Sequence, residues 1–143
     1  MVINIFKKKT KDVKSEKNLV LICALFVHAA KLDDKYTDKE KSIILKALSE
    51  ISDKKESELK TVLKEAEKKE SQSNQILEFT KEVKNSEKSF RLKILEVLWK
   101  IIYSDGISDM YESNLMRRLS GLLYVSDKET GDIKQLIIKS KTT

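Results

Sequence analysis

An all-α fold is predicted by three features of this chain. Proline is absent and glycine occurs three times in 143 residues, so strand-and-turn architectures lack their usual punctuation. Helix-compatible residues, chiefly Lys, Glu, Leu and Ile, dominate the rest. Apolar residues recur at three- and four-residue spacing, and the whole arrangement occurs twice, 72 residues apart. The length suits one domain that buries about two-thirds of its unfolded surface. Together these predict a single-domain bundle of about seven helices built from two pseudo-symmetric halves.

Residues 1–17 are expected to form a basic N-terminal arm or short helix ahead of a helical domain over 18–143. The arm holds six lysines and two acids, which is +4 of the formal +6, so the body of the chain is nearly balanced. Val2, Ile3, Ile5 and Phe6 ahead of its lysine run would suit peripheral contact with an anionic membrane. An arm that packs on the bundle and keeps its lysines in water accounts for them more simply.

The first helix, 18–31, contains "LVLICALFVHAA" and is apolar almost all round, which marks it as central and buried. At 12 residues that run is well short of the ~20 needed to span a bilayer. No small-residue cleavage site follows it, so it does not read as a signal peptide. Ile43, Ile44, Ala47, Leu48 and Ile51 define one face of a second helix. Leu59, Val62, Leu63 and Ala66 define that of a third, which completes a half over about 18–70. A linking helix over about 73–85 carries Ile76, Leu77, Phe79 and Val83. The second half, about 89–139, opens with another apolar helix at 89–103. Its sixth helix uses Leu115, Met116, Leu119, Leu122 and Leu123, and its seventh Ile133, Leu136 and Ile137.

In the repeat, Ile22 falls on Ile94, Asp33 on Asp105 and Glu40 on Glu112. After a two-residue slip, "SDKKESELKTVL" at 52–63 matches "SDKETGDIKQLI" at 126–137. Each half thus carries Asp-x6-Glu across the turn after its apolar helix. One reading is capping. Thr37-Asp38-Lys39-Glu40 has the form in which an N-cap hydroxyl and an N3 carboxylate serve each other's backbone amides, and Asp109 with Glu112 repeats it. Gly106 would then take the left-handed conformation that a helix end prefers.

A second reading starts from Asp33 and Asp105, which sit where a helix dipole favours cations and so need compensation. A loop amide, a lysine such as Lys35, or a bound cation would supply it. Were the four carboxylates Asp33, Glu40, Asp105 and Glu112 to gather, an oxygen-only set would suit calcium or magnesium. The spacing is not that of a preformed EF-hand loop. A third reading is a protein-docking surface that uses Tyr36, Tyr103 and Tyr111 beside the turns.

At these motifs the chain resembles the tellurite-resistance TerB-like family, most of all its stand-alone bacterial members of unknown function. The resemblance rests on "HAAKLDDKYTDKEKSIILKAL" and "VLWKIIYSDGISDMYESNLMRRLSGLLYVSD" and covers about 19–138. It implies an all-helical bundle, a role in cytoplasmic or membrane-linked stress systems, and a metal site at Asp33, Glu40, Asp105 and Glu112. The first motif departs from the pattern, with Asp33-Asp34 where the family has Asp-Gly.

Other residues invite chemistry without supporting it. His28 is the only histidine, and its helix-local neighbours Ala24, Leu25 and Leu32 offer no partner. Cys23 cannot form an intramolecular disulfide and reads as a core residue in a reducing, cytoplasmic compartment. Arg117-Arg118, with Arg91, Lys93 and Lys100, would attract an anion, but no basic stripe with stacking groups accompanies them, which disfavours nucleic acid. No nucleophile or second histidine adjoins the carboxylates, so an enzyme is not expected. The sequence therefore predicts a non-enzymatic TerB-like module with a divalent cation at its acidic turns and an unidentified protein partner. The alternative is an interaction domain without metal, its acidic turns being helix caps.

Overall fold

The computed structural model describes residues 16–32, 35–73, 76–104 and 110–142, and these form seven α-helices and no strand. They are α1 (Glu16–Ala30), α2 (Asp38–Ile51), α3 (Glu56–Gln72), α4 (Ile76–Lys84), α5 (Lys88–Ile102), α6 (Met110–Leu122) and α7 (Asp127–Thr142). The arm expected over 1–17 lies outside the described residues except at its last two positions, which begin α1.

Both apolar helices are central, as their all-round hydrophobicity requires. Every side chain from Leu19 to Val27 in α1 is at most 7 % exposed. In α5 the run Ile94, Leu95, Val97, Leu98, Trp99, Ile101 and Ile102 is buried as well. Each Leu, Ile or Phe taken fully out of water contributes about 1.5–3 kcal/mol to the drive for this arrangement. α1 packs on α2, α3, α4 and α5, and α5 packs on α1, α2, α4, α6 and α7. α4 touches both central helices and α6, so it joins the halves.

Local chemistry sets the helix ends. Ser52 leaves α2 in an extended conformation, and its hydroxyl donates to the Leu48 carbonyl at 2.8 Å. Ser126 starts α7: its hydroxyl accepts from the Glu129 amide at 3.1 Å, while Glu129 Oε1 accepts from the Ser126 amide at 3.3 Å. α6 ends in a Schellman arrangement, with the Val125 amide on the Ser120 carbonyl and the Tyr124 amide on that of Gly121. The residue this motif places in the left-handed region is Tyr124, at φ 57°. Arg91 of α5 donates to the Leu123 and Tyr124 carbonyls at 2.9 and 3.2 Å and so satisfies that end.

Three expectations are corrected. Leu136 and Leu77, assigned to apolar faces, are 69 % and 51 % exposed, and their helices bury Ile137, Ile76, Phe79 and Val83 instead. The two-residue slip has no counterpart in the helix starts. Glu16 and Lys88 are 72 residues apart, as are Asp38 and Met110, and Glu56 and Asp127 are 71 apart. Ser52 and Ser126, paired by the slip, do opposite jobs: one ends a helix and the other begins one.

Candidate functional site

The turn between α1 and α2 is built on Thr37, which is extended at φ −91°, ψ 163°. Its hydroxyl accepts from the Glu40 amide at 3.2 Å, and Glu40 Oε1 accepts from the Thr37 amide at 2.8 Å. The capping box read from the sequence is therefore present, and it draws the Glu40 side chain inward until only 5 % of the residue is exposed. Tyr36 pins the turn to α3 by donating its hydroxyl to Glu67 Oε2 at 2.6 Å. Lys41 adds a second hold, with Nζ 4.8 Å from the Tyr36 ring centre and 3.9 Å from the same carboxylate. Burial first, and then the bond to Glu67, push the Tyr36 phenol above its usual range and keep it a donor.

The second turn leaves α5 through Tyr103 and Ser104, both buried. The Tyr103 amide bonds back to Trp99 at 2.9 Å and that of Ser104 to Ile101 at 3.2 Å. The Tyr103 ring packs on Trp99 with centroids 5.4 Å apart.

One contact joins the turns. The Lys39 ammonium, from the first turn of α2, donates to the Ser104 carbonyl at the end of α5. At the opposite ends of the same two helices, Lys93 meets Glu50 at 3.0 Å, so α2 and α5 run antiparallel. The start of α2 and the end of α5 consequently lie at one end of the bundle, and a lysine supplies charge compensation at the C-terminus of α5.

Of the four nominated carboxylates, Glu40 is placed as described. Glu112 stands in the first turn of α6, equivalent to Glu40 in α2, and its side chain lies outside the described residues. Asp33 and Asp105 lie outside them too, as do Asp34, Gly106, Asp109 and the Tyr111 side chain. Among the described residues no three His, Cys, Asp or Glu side chains are grouped as a metal site. Two features bear on cation fit. Glu40 Oε1 is already committed to Thr37, and the Lys39 ammonium already stands beside the residue preceding Asp105.

The expectation that His28 lacks a partner is corrected by α3. Glu70, 8 % exposed, brings Oε2 to 3.1 Å from His28 Nδ1 and Oε1 to 2.8 Å from Lys31 Nζ. Glu70 continues the stripe Leu59, Val62, Leu63, Ala66, and an acid on an apolar stripe is the signal that could have revealed it. Lys39 had a signal as well, because a lysine in a helix's first turn opposes the dipole. Cys23 is a core residue, its thiol pushed well above the usual range by burial and then by the charge of Glu67. The basic group beyond Arg117-Arg118 dissolves into structure: Lys93 and Lys100 both pair with Glu96, and Arg91 holds the end of α6. Tyr103 is buried against Trp99, and Tyr36 is partly buried against the core with its hydroxyl on Glu67. No described helix is long and apolar enough to cross a membrane.

Comparison with known proteins adds one match. The family model described as tellurite resistance protein TerB covers residues 20–135, which takes in both apolar helices and both acidic turns. No curated protein and no solved structure matches the chain.

Proposed function

Because the chain belongs to the tellurite resistance protein TerB family, we propose that it is a non-enzymatic helical module whose working end is the place where its two acidic turns meet. A divalent cation, calcium or magnesium by the hardness of the oxygen donors, is the ligand of that end. Asp33, Glu40, Asp105 and Glu112 are its candidate ligands, and the module serves a stress-response or membrane-linked assembly with a protein partner. The observation that supports this reading is the bond from Lys39 to the Ser104 carbonyl, which brings the start of α2 to the end of α5. Tyr36, Lys41 and Glu67 hold the first turn against α3 and so support the geometry.

A second reading draws on the same contact. If the Lys39 ammonium is the cation that the acidic turns require, the module needs no metal and the end is a capped, charge-balanced surface for a partner protein. The capping box at Thr37 favours this alternative.

The test is a thermal melt of chelator-treated protein against calcium, magnesium, manganese and zinc, beside the Asp33→Asn/Asp105→Asn double variant. A ligand at 100 times its Kd stabilises by about 2.7 kcal/mol, which raises Tm by roughly 5–11 °C at this size. A shift with one metal that the double variant abolishes supports the cation site. Melts unmoved by every metal overturn it and leave the partner-binding reading.

A further inference from the structure

α7 has more apolar surface than the bundle covers. Its Ile137 is buried and Ile133 and Ile138 pack against the core, while Leu136 is 69 % exposed. A lone exposed leucine is ordinary, but this one has company. With Ile133, Ile137 and Leu92 of α5 it lines an open groove of about 450 Å³ between the two helices. Ile137 also lines a second groove, of about 280 Å³, whose floor runs through Val97 of α5 to Ile43 and Ala47 of α2. The grooves form one apolar strip across three helices, with charged side chains at its rim, and such a strip marks an interaction surface.

The charges of α7 indicate the occupant. Asp127, Glu129 and Asp132 with Lys128 give residues 127–133 a charge of −2, and Lys134 and Lys139 give residues 134–140 a charge of +2. A uniformly acidic or basic partner would match one half and be repelled by the other, whereas a second α7 laid antiparallel matches both. The register agrees. Asp132 and Lys139 are both exposed and stand seven residues apart, close to two helical turns, so they share the stripe that carries Leu136. Leu136, four residues after the acid and three before the base, lies beside their midpoint. A twofold axis there sets Leu136 against the partner's Leu136 and Asp132 against the partner's Lys139, the ion pair being made twice. This polarity already suits the dipole of α7 itself, and antiparallel pairing uses it again. We propose that two copies of this chain associate through the outer face of α7, antiparallel about a twofold axis beside Leu136, with the two leucines filling the paired grooves. The acidic turns play no part, because none of their residues lines either groove.

Sedimentation equilibrium of the full chain, from about 1 μM to about 1 mM, measures the association. Chelator is present throughout, which keeps the outcome separate from any cation at the acidic turns. The expected result is a reversible monomer–dimer equilibrium. Leu136→Glu sets two carboxylates at the axis and should weaken it about 100-fold or more. Because Leu136 is exposed, that variant should keep the fold, which circular dichroism checks. Asp132→Lys and Lys139→Asp each oppose like charges twice and should each weaken pairing about tenfold. The double exchange Asp132→Lys/Lys139→Asp, at unchanged net charge, should restore it. A chain that stays monomeric throughout overturns the proposal and leaves the groove to another occupant, the N-terminal arm or an unlike protein. A dimer that Leu136→Glu leaves intact overturns it as well, as do charge reversals that the double exchange does not rescue.

Discussion

Glu40 combines a cap and a charge, and two substitutions separate them. Its Oε1 accepts from the Thr37 amide at 2.8 Å and the Thr37 hydroxyl at 3.1 Å, inside a residue only 5 % exposed. Glutamine keeps an oxygen at that position and nearly the same volume, so Glu40→Gln preserves the box and deletes only the charge. Alanine deletes both. Loss of the cap costs about 1 kcal/mol, and removing two buried methylene-sized groups adds about 1–2 kcal/mol. At about 2–4 °C per kcal/mol for a chain of this size, Glu40→Ala should melt roughly 4–12 °C lower. Glu40→Gln should stay within about 1 kcal/mol of the parent. Calorimetry in chelator measures both, and a repeat with the best metal shows whether the glutamine variant alone loses the metal-dependent rise. The reasoning is refuted if glutamine costs as much as alanine in chelator, because charge rather than the capping bond would then hold Glu40 in place.

Four further outcomes are expected. Tyr124 is left-handed at φ 57° and 65 % exposed, so Tyr124→Gly relieves about 1–2 kcal/mol of backbone cost against about 0.5–1 kcal/mol of added chain entropy. Chemical denaturation should find it more stable than the parent, and Tyr124→Ala, which keeps the cost, less so. Gly131 sits inside α7 with open space at its Cβ, and Gly131→Ala should stabilise by about 0.5–1 kcal/mol in the same assay. Cys23 is buried with its thiol pushed up, so a thiol reagent should label it only in denaturant; rapid labelling of the native chain would contradict that placement. Glu129 is held below its ordinary value of 4.5 first by Lys88, 2.7 Å away, and then by Ser126. Its contribution is present above the unfolded value and lost as pH falls through the folded one. Glu129→Gln should therefore be slightly less stable than the parent at neutral pH, converge with it at low pH, and so show a flatter acid limb below 4.5.

What the sequence made legible was mostly local. All-round hydrophobicity identified α1 and α5 as central, and the Thr-x-x-Glu pattern placed the start of α2 at its cap. Periodicity erred where a face was shared. Leu77 and Leu136 continue apolar patterns, but each turns outward because its neighbours on the helix already fill the contact. The contacts that define the site lie far apart in the chain and left little local trace. Lys39 reaches Ser104 across 65 residues and Glu70 reaches His28 across 42, and each appears in sequence only as a charge on the wrong part of a helix.

The burial of α1 also has a consequence for how the protein is made. α1 leaves the ribosome with no polar face to present to water, and α5, which completes its covering, ends 72 residues after it, at Ile102 against Ala30. At synthesis rates of about 5–20 residues per second, that interval lasts roughly 4–15 s. During it the nascent chain can shield α1 only with α2, α3 and then α4. α3, which makes the most extensive contact with α1, is the early partner that keeps this apolar surface from other chains until its counterpart arrives.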